Sequence, residues 1–94
     1  MKKAIVFGKT IPIDYKDLEG ENYDGLYNYK TQHIEIDKKL KGDYKTAVII
    51  HELLHAMWDR IAFNQANIPH SLQEILIENT CTMLIENFNI KPKV

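Results

Sequence analysis

Apolar positions along the chain change their period midway. Residues 4–7 form an apolar run that stops at Gly8 and reads as a short strand. Residues 10–15 alternate and predict a second strand, with Pro12 favouring an edge position because proline cannot donate to a ladder. Residues 17–25 are rich in Gly, Glu, Asn and Asp and read as a loop. Two further β-prone runs, 26–29 and 33–37, are joined by Lys30-Thr31-Gln32, a hairpin connection. In the second of these Ile34 and Ile36 face one side while His33, Glu35 and Asp37 face the other.

The pattern then lengthens. Gly42-Asp43 reads as a helix start with Asp43 as N-cap. Residues 46–63 (TAVIIHELLHAMWDRIAF) include three consecutive β-branched residues, Val48, Ile49 and Ile50, so a strand must be weighed. Length decides for a helix, since the apolar pattern continues to Phe63 without a turn signal. A helix apolar on nearly all sides belongs between other elements. Residues 64–69 break the pattern, and Pro69 suits the first turn of a second helix, with Ser71 as an alternative cap three residues before Glu74. That helix runs to about Phe88. Strands first and helices second predict an α+β fold over residues 1–94, a single domain with a small antiparallel sheet of about three strands followed by two packed helices.

Composition narrows the function. A chain of 94 residues with 45% hydrophobic and 27% charged residues fits one globular domain. Its formal net charge of −1 gives no footprint for nucleic acid or an anionic membrane. Lys38, Lys39, Lys41 and Lys45 form a basic run, but Asp37 and Asp43 interrupt it, so it reads as a solvated face. The single cysteine, Cys81, excludes an intrachain disulfide and reads as a small buried hydrophobe. Four apolar residues after Lys2-Lys3 fall short of the roughly 7–15 of a secretory leader. No run reaches the ~18 apolar residues of a membrane span. The expected setting is the cytoplasm.

The chemistry concentrates at His51-Glu52-Leu53-Leu54-His55. Histidines four apart on a helix share a face, and their imidazoles can bind one zinc ion. Glu52 lies about 100° further round, where its carboxylate reaches a water beside the ion without joining the ligands. Flanking Ile49, Ile50, Ala56 and Met57 make this segment costly for two imidazoles and a carboxylate unless a partner satisfies them. A third ligand must come from elsewhere, and the second helix offers Glu74 and Glu78, four apart. On a helical wheel Glu74 falls between Cys81 and Ile85, within an apolar sector, with Glu78 about 40° beyond it. Glu74 can alternatively close a capping box with Ser71, and Glu78 can be a solvated glutamate.

These residues resemble the zincin metallopeptidases, and more narrowly the gluzincins, in which a glutamate from a following helix completes the site. The spacing of eighteen residues between His55 and Glu74 is similar to one used there. Glu74-x-x-x-Glu78 looks like the ligand-x-x-x-acid pattern whose second acid supports a liganding histidine, with glutamate where aspartate is common. Residues 25–37, 47–58 and 72–88 are also similar to small metallopeptidase-like proteins of phages and prophages, and more distantly to the ImmA/IrrE metallopeptidases. The resemblance implies a minimal zincin-like core hydrolysing peptide bonds in a bacterial host or phage setting. Zinc would be held by His51, His55 and Glu74, with Glu52 as general base. Residues 33–37 are the expected edge strand for an extended peptide or protein substrate, and Tyr27, Tyr29 or His33 the expected oxyanion donor. His70 reads as a loop or cap residue. So small a chain leaves room for a presenting partner or self-association. Two competing readings stand beside this one. The first is a catalytically silent, zinc-binding regulatory or interaction protein of phage type; the second is a metal-free helical interaction module.

Overall fold

The computed structural model describes residues 2–60 and 68–93. Its elements are β1 (Lys2–Val6), β2 (Lys9–Lys16), β3 (Gly25–Asn28), β4 (His33–Asp37), α1 (Gly42–Arg60) and α2 (His70–Asn87). The α+β class and the succession of strands then helices are as expected. The expected helix end at Phe63 and the break over 64–67 lie outside the described residues.

The sheet differs in detail from the expected antiparallel one. It has four strands in the order β1-β2-β4-β3, and its central pair, β2 and β4, runs parallel, Ile13 opposite Ile34 and Lys16 opposite Asp37. β1 and β2 form a tight hairpin through Phe7 and Gly8, whose φ values of 48° and 81° give the twist that favours two-residue turns between strands. β3 and β4 form the second hairpin, in which Asn28 Oδ1 accepts from the Lys30 and Thr31 amides at 2.9 and 3.1 Å. The chain between β2 and β4 carries β3 to the far side of β4, which closes the parallel pair. β4 is therefore internal, and the edge strand beside it is β3. Pro12 sits in an internal strand too, yet the β2–β4 ladder begins only at Ile13, so its missing N–H removes no bond on that side.

Alternation buries one face of the sheet: Ala4, Val6, Ile11, Ile13, Ile34 and Ile36. α1 lies across this face, contributing Ile49 and Ala56, with Val48, Leu53 and Met57 packed around them. α2 packs on α1 through Ile77 and Cys81. α1 is thus held between sheet and helix, as its all-round apolar pattern requires. Asp43 lies in the first turn of α1, where its charge favours the helix N-terminus. At α2 the cap is Pro69, whose carbonyl accepts from Leu72 and Gln73 at 3.1 Å each, with no side-chain cap. Ser71 is inside the helix, so no capping box occupies Glu74. No helix among the described residues is long and apolar enough to cross a membrane.

Candidate metal centre

α1 presents His51 and His55 one turn apart, their ring centroids 5.0 Å from each other, toward α2. α2 answers with Glu74, whose carboxylate lies 2.7 Å from His55 Nε2 and 3.4 Å from His51 Nε2. One ligand atom from each of the three residues falls within 4.8 Å of the others, close enough for all three to hold one metal ion. The donor set of two imidazole nitrogens and a carboxylate oxygen suits a first-row divalent ion. Glu78, one turn beyond Glu74, sits on the opposite side of His51, its Oε1 3.0 Å from Nδ1. Were His51 to ligate a metal through Nε2, its Nδ1–H would donate to Glu78, and that bond would fix the tautomer and orientation of the ring. Tyr29 has the corresponding place at His55, its hydroxyl 3.3 Å from Nδ1.

Glu52 is buried at 7% exposure between α1 and β3. Burial pushes its carboxyl up to about 7, the neighbouring Glu74 carboxylate adds to the rise, and the Tyr27 backbone N–H facing it pulls the other way. Burial also holds His55 below the ordinary imidazole range, with the Glu74 carboxylate opposing that shift. Both shifts belong to the metal-free chain. The lowering at His55 favours neutral imidazole, the form that ligates.

Two cavities meet at these residues. One, of about 240 Å³, reaches toward Tyr29, His70 and Glu74. The other, of about 500 Å³, reaches toward Tyr44, Ile85 and Glu86. Gly25, His51 and Glu52 line both, so the site opens to either side of Glu52.

The three tyrosine and histidine candidates for an oxyanion donor separate. The Tyr27 hydroxyl is buried and donates to Asp59 Oδ2 at 2.7 Å, so it is committed elsewhere. His33 is exposed at the start of β4 and lines neither cavity. Tyr29, 49% exposed, lines the smaller cavity. His70 is the first residue of α2, its Nε2 3.7 Å from Glu74 and its ring stacked with His55 at 6.3 Å.

Two residues escape the sequence reading. Asp59 lies four beyond His55, and that spacing is the signal that would place it on the same helix face. Gly25 opens a strand, where glycine often marks a close backbone approach. Comparison with family models, with curated proteins and with solved structures finds no match for this chain.

Proposed function

We propose that the protein is a minimal zinc-dependent metallopeptidase, with His51, His55 and Glu74 as the ligands and Glu52 as the general base. The observation that carries this reading is the convergence of three ligand atoms within 4.8 Å beside a buried glutamate that is not one of them. A purely structural site has no use for that fourth group.

A divalent ion held there supplies a Lewis acid that acidifies a water and polarises an amide carbonyl. The chain's own residues do the rest. Glu52, buried beside the ligands, would take the proton of the attacking water and deliver it to the departing amine. Glu78 and Tyr29 hold the two imidazoles. Tyr29 lines the smaller cavity, and its hydroxyl, which would accept from His55 Nδ1–H, keeps its own proton to donate to the oxygen on which charge develops.

The substrate class is a peptide or protein segment in extended form. β3 has a strand partner on one side only among the described residues, and the cavities on both sides of Glu52 allow a chain to run through, so internal cleavage is favoured. The resemblance of residues 25–37, 47–58 and 72–88 to small metallopeptidase-like proteins of phages and prophages supports a phage or prophage origin, and the lone Cys81 supports a reducing cytoplasm.

The test is Glu52→Gln in metal-loaded protein, assayed on a peptide library by mass spectrometry. The variant retains one zinc per chain and loses cleavage by at least about 100-fold. Cleavage at the wild-type rate would remove Glu52 from the reaction, and a wild-type chain that binds zinc yet cleaves nothing would leave a silent metal-binding protein.

A further inference from the structure

The carboxylate proposed as base does not hold its place through α1 alone. Gly25 begins β3 where that strand passes directly over α1. Its φ is not in the left-handed region, so the backbone does not demand glycine here. The space does. A Cβ at Gly25 would lie 2.7 Å from Val48 Cγ1, 3.2 Å from Glu52 Cγ and 3.3 Å from Glu52 Oε2. Val48 cannot turn away cheaply, because a β-branched side chain on a helix has one strongly preferred rotamer.

Two residues on, Tyr27 ties the same strand to the same helix at a second point. Its hydroxyl donates to Asp59 Oδ2 at 2.7 Å, and its ring is buried at 3% exposure. Its backbone N–H faces the Glu52 carboxylate. The Glu52 side chain is therefore bounded by strand backbone on one side and by its own helix on the other.

We propose that β3 is a positioning element for Glu52: Gly25 leaves the slot its side chain fills, and Tyr27, anchored on Asp59, keeps strand and helix in register at that slot. Both are positioning residues, and their effect on turnover rests on the metallopeptidase reading above. The position of Glu52 itself is independent of that reading.

The experiment separates the two neighbours of the missing Cβ. Gly25→Ala is made alone and together with Val48→Ala, which removes the 2.7 Å collision but leaves the contacts with Glu52. Val48→Ala alone is the reference. The double variant is expected to unfold at the temperature of Val48→Ala, to bind one zinc with unchanged affinity, and to show kcat lower by about tenfold or more with KM unchanged, since displacing a reacting group by about 1 Å costs up to ~100-fold. Recovery of kcat to the level of Val48→Ala would make Gly25 a packing residue and overturn the proposal. A second readout needs no activity. In ¹H–¹⁵N spectra of the metal-free chain, Glu52→Gln and the double variant should both move the Tyr27 amide resonance, while Val48→Ala leaves it in place. An unmoved Tyr27 resonance in the double variant would also overturn it. If the wild-type chain cleaves no peptide, the metallopeptidase reading falls and this resonance still decides the position of Glu52.

Discussion

Glu74 and Glu78 look alike in the sequence, acids four apart near one apolar sector, yet they meet different nitrogens of the histidines. Glu74 lies between the Nε2 atoms of both histidines, and Glu78 sits behind His51 on Nδ1. The helical wheel places the pair on the right face but cannot tell which nitrogen each meets, because that depends on how α2 is seated along α1. The local signal for Ser71 as a cap misleads for a related reason: Pro69 already ends the preceding chain, so the helix starts two residues earlier. A carboxylate behind a liganding imidazole raises its basicity and locks its tautomer, and losing it costs about 10–100-fold in metal affinity. Glu78 has a side chain 66% exposed, so water partly replaces it and the lower end of that range applies. Glu78→Ala should therefore weaken zinc binding about tenfold in a competition titration with a chelator. Glu74→Ala should weaken it far more. Equal losses would mean that both act as ligands.

Among the elements, the helices and the alternation of Ile34 and Ile36 are legible because they follow from local periodicity. The strand neighbours are not. Which strand covers β4 is settled by the path from Asp17 to Asp24, whose composition says only that it is a loop. Hence β4, expected at the edge, is internal, and β3 makes the most extensive of the strand contacts with α1. Tyr27 is the main junction between them, and its environment makes a prediction about pH. Burial, the hydrogen bond to Asp59 and the Asp59 charge all push its phenol well above the ordinary value of 10. Below pH 10 both folded and unfolded chains keep the phenolic proton, so its contribution to stability is intact. Above pH 10 the unfolded chain releases the proton while the folded chain retains it, and stability falls as pH rises toward the folded value. Tyr27→Phe should cost roughly 1.5–3 kcal/mol near neutral pH, the worth of a hydrogen bond to a charged group. It should also flatten the alkaline decline. The check is urea unfolding of both proteins from pH 8 to 11. A gap that stays constant above pH 10 would show that Tyr27 does not titrate out of its bond with Asp59.

For the molecule as a whole, the question is what keeps α2 in place. It packs on α1, with only Ile77 and Cys81 buried, while Leu72, Ile75, Leu76, Met83 and Phe88 stay exposed. A chain of this size buries only about 60–65% of its unfolded surface, so a docked helix with so small a buried face is weakly held. The candidate ligands straddle that junction, two from α1 and one from α2, so an ion there ties the helices together. At free zinc of about 100 times Kd, binding adds roughly 2.7 kcal/mol, which for a domain this small raises Tm by on the order of 10 °C or more. Glu74→Ala should abolish that shift. Cys81 offers a local measure of the same tie. Burial, with help from Glu78 and Glu52, pushes its thiol up to about 11, so at pH 8 the docked helix shows almost no thiolate and reacts slowly with iodoacetamide. Alkylation then reports the fraction of time α2 is detached. Adding a chelator should accelerate it by a factor that follows the metal concentration, up to about 100-fold, while Glu74→Ala should react at the fast rate with or without zinc. If zinc raised Tm yet left the Cys81 rate unchanged, the ion would be stabilising α1 and the sheet alone, and Glu74 would not be the ligand that joins the two helices.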